Sequence, residues 1–335
     1  MASSTFSVRT VKHPIFWVRD LDDAAVWFER VFGRPTITTA ELLADLPKRD
    51  GYAIDYGIFH LVQDTFIESI DPSRLIIGGV NEFPLRGIPP VTLPSLGHFG
   101  WYVDGVDHLF AALRERGMRC QNQVGEVTDE MAFGGKVGFP SFYALREEAG
   151  LAYQFVDCPP GEENVRKTGD ARLAPDWALA APSEDDGLGI ELCSHHTVVT
   201  SRPERLLGLW VDVLGGDVVH KGANDLLGTD STFVALGDGV FESAVPTGDG
   251  LRIAGALNPE PFDSYHSMTF LVRDLARAEA HLRAHGIDIA RRDEATIVTD
   301  PTTSYGVPWG FTSHLVPGDL RTAPSVREGV TTDAE

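Results

Sequence analysis

The sequence predicts an α+β fold of four βαβββ modules, each made of a short strand, an amphipathic helix and about three further strands. Two observations predict it. One grammar recurs four times along the chain: an apolar strand, a capping residue, an amphipathic helix, then a glycine. The stretch after each glycine is rich in turn residues and closes on another short strand.

The first module opens with His13-Pro-Ile-Phe-Trp-Val-Arg-Asp20. Asp20 is placed to cap a helix whose Leu21, Ala24, Phe28 and Val31 form one apolar stripe, and Gly33 suits the left-handed position past its end. The second opens with His98-Phe-Gly-Trp-Tyr-Val-Asp104; Val106, Leu109, Phe110 and Leu113 share a helix face that ends before Gly117. In the third, His196-Thr-Val-Val-Thr-Ser201 leads into a helix with a capping-box spacing, Ser201 to Glu204, and a stripe of Leu207, Trp210 and Leu214 before Gly215. The fourth runs from Ser267 through Asp274, with Leu275, Ala278 and Leu282 ahead of Gly286. The modules close on strands that contain Glu68, Gln154, Glu242 and Gly310. One helix over a small sheet buries little by itself, so modules are expected to pair.

The stretch Cys158 to Gly189 is rich in Pro, Gly, Glu and Asp and lacks periodicity. The expected division is therefore 8–157, a linker 158–189, 190–317, and a flexible polar tail 318–335.

Composition narrows the function. Hydrophobic residues are 43% of the 335, enough for a real core. A net charge of -21, from 49 acidic and 28 basic residues, repels phosphate backbones and anionic bilayers, so neither nucleic acid nor membrane is an expected partner. The three cysteines, Cys120, Cys158 and Cys193, form no CxxC pair and read as small core residues. Met1 to Thr10 has no apolar segment of the signal-peptide kind, which gives a cytoplasmic expectation.

The helix-end glycines act as an internal ruler. Gly33 follows His13 by 20 residues; Gly117 follows His98, Gly215 follows His196 and Gly286 follows Ser267 by 19 each. Three modules thus carry His at one strand position and the fourth carries Ser. The closing strands add Glu68, Gln154, Glu242 and Gly310, and modules one and three both read Glu-Ser-x-x-Pro there. A lone strand histidine is commonly structural. Three at one repeat position, each matched to a closing-strand position, point to metal ligation. The remaining histidines, among them His60, His195 and His220, show no such equivalence.

This pattern resembles the vicinal-oxygen-chelate (VOC) superfamily of glyoxalases, epimerases, bleomycin-resistance proteins and extradiol dioxygenases, over about His13 to Ser313. The resemblance implies two cup-shaped mixed sheets, each built by two modules around one divalent ion. It assigns the metal (Mn, Fe, Co, Ni or Zn) to His13, Glu68, His98 and Gln154 in the first half, with Glu68 also the catalytic carboxylate. In the second half Ser267 and Gly310 replace two ligands, so His196 and Glu242 are weaker candidates in a degenerate partner. His266 joins them only if the strand slips by one residue, which would reverse its faces. If modules two and three pair instead, the set becomes His98, Gln154, His196 and Glu242.

The resemblance further implies a small-molecule substrate with adjacent oxygens and Lewis-acid stabilisation of an enolate, as in an isomerase or epimerase acting on a keto-cyclitol or similar ketone. Asp55 and His60 are the candidates for a second acid/base. The alternative is an Fe(II) extradiol-type ring-cleaving dioxygenase, with Gln154 unligated; the lesser one is a non-catalytic small-molecule binder. Relatives often pair, which makes a homodimer the assembly to look for.

Overall fold

The computed structural model describes residues 6–44, 53–77, 80–81, 93–122, 125–134, 139–248, 255, 257–258 and 260–324. Modules one and two pair through their opening strands. Ser7–Val11 runs antiparallel to Gly100–Asp104, and Ile15–Trp17 antiparallel to Ser95–Leu96. Val11 faces Trp101 and Phe16 faces Leu96, so one register carries through both contacts. The closing strands then add in parallel, Thr65–Ile70 beside Ile15–Trp17 and Gln154–Val156 beside Gly100–Asp104.

Modules three and four repeat the plan in one eight-stranded sheet. Ile190–Val199 and Ser264–Val272 are antiparallel at its centre, flanked in parallel by Gly239–Pro246 and Gly310–Thr312. The fold is therefore the α+β arrangement of four strand–helix–strands modules with mixed sheets. Among the described residues, every ladder of modules one and two closes within that half, and none pairs module two with module three.

Local chemistry explains the helices. Asp20 accepts hydrogen bonds from the Asp22 and Asp23 amides and opens Leu21–Phe32, and Gly33 closes it at φ 64°. Asp274 accepts from Arg277 and opens Leu275–Ala284. The third helix departs from expectation. Its N-cap is Arg202 rather than Ser201, and Pro203–Leu207 runs into a π-helical stretch, Gly208–Val213. That change of winding buries Leu206, Leu209 and Trp210 in place of Leu207.

The two halves share one core. Phe28 and Phe32 of the first helix pack against Trp309, and Phe32 also meets Phe270. Phe99 stacks on Phe241 and meets Tyr265 edge-on. The three cysteines are buried and free, as expected of core residues.

The stretch between the halves carries structure that its composition hid. A helix, Glu162–Thr168, precedes a short turn in which Asp170 and Arg172 form a buried ion pair at 2.7 Å. Arg172 also donates to the carbonyls of Lys12 at 2.5 Å and Asp64 at 2.7 Å. The expected flexible tail is attached through residue 324: Arg321 donates to the carbonyls of Cys193, Ser194 and Asp238 and pairs with Asp319. Cys193 and Ser194 lie at a register shift in a central strand, and Asp238 lies at a hairpin turn.

Candidate metal centre

The first cup is shaped by a break in its opening strand. Residues 12–14 lie between the two strand segments. The Lys12 amide donates to Gly100 O at 2.8 Å, the Ile15 amide to His98 O at 2.7 Å, and the Glu68 amide to Pro14 O at 3.0 Å. Consecutive strand residues normally point to opposite faces. At this break two neighbours, Lys12 and His13, both reach into the cup.

His13 Nδ1 lies 3.0 Å from Glu68 Oε2, both side chains nearly fully buried. The carboxylate is the nearest polar group to this buried nitrogen. Phe59 meets the imidazole edge-on at 6.1 Å. Gln154 pairs in register with Gly100, two residues beyond His98. The His98 ring sits 5.6 Å from Trp17 and 5.9 Å from Tyr143. Trp17 reaches it across Gly97, where a Cβ would lie 2.0 Å from the indole nitrogen; only glycine fits.

A cation already stands among these groups. Lys12 Nζ donates to Gln154 Oε1 at 2.8 Å and also contacts His13 Nε2. Burial pulls the Lys12 pKa down to about 8, against the attraction of Glu68. Burial first, and the Lys12 charge second, lower that of His13. An imidazole kept neutral is the form that binds a metal.

Two neutral imidazoles, a carboxylate and an amide oxygen suit a divalent transition ion. The cation already drawn onto His13 Nε2 and Gln154 Oε1 also fits such a group. Among the described residues, however, no three His, Cys, Asp or Glu side chains are gathered tightly enough to grip an ion as they stand. Lys12 contacts both His13 and Gln154, and Glu68 lies beside His13.

Register corrects one assignment in the second half. Glu68 pairs with Ile15, Gln154 with Gly100, Glu242 with Thr197 and Gly310 with Thr269. Two residues before each partner come His13, His98, His195 and Ser267. Each of these also lies seven residues before its helix N-cap, namely Asp20, Gly105, Arg202 and Asp274. The equivalent of His13 in module three is therefore His195, and His196 faces the shared core. His196 donates to or accepts from Tyr265 Oη at 2.6 Å, stacks on Phe99 and Phe241, and is pushed down to about 3 by burial. The glycine ruler missed this because the span from N-cap to glycine differs by one residue between modules; the N-cap ruler does not cross it.

Glu242 is fully buried and saturated. It accepts from Thr197 and Ser231 at 2.6 Å each and from Asn224 at 2.9 Å, with His195 Nε2 at 3.7 Å. His195 in turn lines a cavity of about 360 Å³, together with His220, Phe233, Ser267 and Gly310. His266 is buried beside Ser267 with Nδ1 3.2 Å from its hydroxyl. The two groups held in reserve as a second acid/base lie elsewhere. His60 is fully buried, stacked on Phe28 at 4.3 Å, bonded to Thr36 and lowered to about 4 by burial, while Asp55 is exposed on a bend.

Comparison with known proteins agrees with this architecture. Neither a family model nor a curated protein matches the sequence. Solved structures do match along nearly its whole length. A triple mutant of 4-hydroxymandelate synthase from Streptomyces coelicolor superposes with a TM-score of 0.56 at 12% identity, covering 96% of both chains. The Mn(II)-bound glyoxalase from Novosphingobium aromaticivorans gives 0.54 at 14% identity, over 95% of this chain and 86% of that one. The 2,3-dioxygenase LapB from Pseudomonas sp. KL28 gives 0.51 at 14% identity, over 96% and 97%. Glyoxalases and extradiol dioxygenases are VOC proteins, so the chain has the fold of that superfamily.

Proposed function

We propose that this chain is a divalent-metal-dependent VOC enzyme whose working site is the first cup, with His13, Glu68, His98 and Gln154 as the metal-holding set. One observation carries the reading: these four occupy equivalent opening- and closing-strand positions of two modules whose opening strands pair, and a cation is already drawn onto two of them. A divalent ion in this seat would stabilise negative charge on adjacent oxygens of a small-molecule substrate.

The chain's own residues supply the rest. Glu68 Oε2 lies 3.0 Å from His13 Nδ1 while Lys12 contacts Nε2, so ligation by Glu68 would draw the carboxylate from Nδ1 towards the ion. Glu68 is also the carboxylate in the cup able to take a proton from a substrate carbon next to a carbonyl, whereas Gln154 cannot. Trp17, Phe59 and Tyr143 wall the cup with aromatic surface that excludes water from the exchanging proton. With His60 in the core and Asp55 exposed, a single-base isomerisation suits this site better than a two-base epimerisation. The substrate class is a small ketone with a neighbouring oxygen, the keto-cyclitols among them.

A second reading is favoured by one contact. Gln154 Oε1 is occupied by Lys12. A set of His13, Glu68 and His98 without Gln154 is the two-His, one-carboxylate triad of an Fe(II) ring-cleaving dioxygenase.

Metal content of the purified chain, beside a His13→Ala/His98→Ala variant, tests the proposal. About one Mn, Co, Ni or Zn per chain, lost in the variant, supports isomerase chemistry. Iron lost in the same way supports the dioxygenase. Metal retained in full by the variant removes the first cup as the site.

A further inference from the structure

We propose that Lys12 guards the metal seat: its ammonium occupies the place between His13 and Gln154 and must withdraw as a divalent ion enters, so that Lys12 sets the affinity of the site. The inference rests on the reading of the first cup as the metal centre. Three observations carry it. Lys12 Nζ donates to Gln154 Oε1 at 2.8 Å and contacts His13 Nε2, the atoms of those residues that a metal would use. The Lys12 backbone is pinned at both ends, its amide on Gly100 O at 2.8 Å and its carbonyl on Arg172 at 2.5 Å, so the side chain alone is left to move. And the break at residues 12–14 is what lets two consecutive side chains enter one cup.

The physical consequence is direct competition. An ammonium and a divalent ion repel strongly at contact distance in a partly dehydrated cup. The ion therefore gains His13 Nε2 and Gln154 Oε1 only as the ammonium leaves them, and its binding is weakened by whatever those contacts contributed. In return, the buried Gln154 oxygen keeps a donor while no metal is bound.

Calorimetric titration of the stripped full chain with Mn(II) tests this on wild type, Lys12→Met and the His13→Ala/His98→Ala variant. Lys12→Met is expected to bind Mn(II) roughly tenfold to a hundredfold tighter than wild type, the range set by loss of a charged hydrogen bond. Equal or weaker binding by Lys12→Met, with wild-type binding abolished in the double histidine variant, overturns the role of Lys12 and leaves the metal centre standing. Mn(II) bound by neither wild type nor Lys12→Met overturns both. A measurement on wild type alone covers the case of a misfolded variant. N-hydroxysuccinimidyl acetate should modify Lys12 slowly in the stripped chain and faster with Mn(II) present, read by peptide mass spectrometry; equal rates would overturn the proposal.

Discussion

At the scale of single residues, the equivalent strand positions of His13 and His98 were legible because each lies seven residues before a helix N-cap. His195 was hidden by an adjacent histidine. Nothing in the dipeptide His195-His196 says which member faces the cavity; the Thr197–Glu242 register and the offset from the Arg202 N-cap decide it. The structure therefore predicts opposite phenotypes for the neighbours. His196→Phe keeps the stack on Phe99 and Phe241 but leaves the buried Tyr265 hydroxyl without its partner, a cost of about 1–3 kcal/mol. His195→Phe should narrow the second cavity with a smaller effect on stability, both measurable by urea unfolding. Equal losses would refute the register. His60 adds a pH effect. Its folded pKa, about 4, lies below the ordinary 6.5, so its contribution to stability is present above 6.5 and is lost as pH falls toward 4. Its share of the slope is about 1.4 kcal/mol per pH unit in that window. His60→Gln should flatten the decline of melting temperature between pH 7 and 5; an unchanged slope would exclude His60 as its source.

At the scale of elements, the amphipathic helices were readable from their stripes, and the segment joining the halves was not. Its composition is that of a linker, yet Asp170 and Arg172 hold it inside the molecule. A charge pair two residues apart leaves no periodic signal, and its value depends on the Lys12 and Asp64 carbonyls supplied by distant chain. Removing one partner of a buried pair strands the other, which costs about 3–5 kcal/mol. Arg172→Ala should lose stability on that scale, and Asp170→Asn less, since an amide still fills the space. Near-wild-type stability in Arg172→Ala would show that the pair is solvated. The π-helical turn at Gly208–Val213 was equally invisible, since a stripe at Leu207, Trp210 and Leu214 satisfies the ordinary helical period and only packing against the sheet selects Leu206 and Leu209.

At the scale of the whole molecule, the repeat announced two paired-module sheets but not how firmly they join. Sequence periodicity reports which face of an element is apolar, not which other element covers it. Here the answer is each other: first-half aromatics Phe28, Phe32 and Phe99 pack on second-half Trp309, Phe270 and Phe241. One titratable group sits on that joint. Asp64, in the hairpin before the Glu68 strand, accepts from the Cys193 amide of the second half at 2.8 Å, and burial raises its pKa from 3.8 to about 6. A raised carboxyl contributes stability that is complete below 3.8 and is lost as pH rises through 6, so at neutral pH the ionised group weakens the joint. It is only partly buried, so the cost is about 1–2 kcal/mol rather than the full two-unit shift. Asp64→Asn keeps the acceptor for Cys193 and removes the charge. It should exceed wild type in stability at pH 8 and match it near pH 4. Because both halves share one core, that gain should move a single unfolding transition, seen alike by tryptophan emission and far-ultraviolet dichroism. A gain independent of pH would rule out the carboxylate as its cause, and two separated transitions would show that the halves unfold alone.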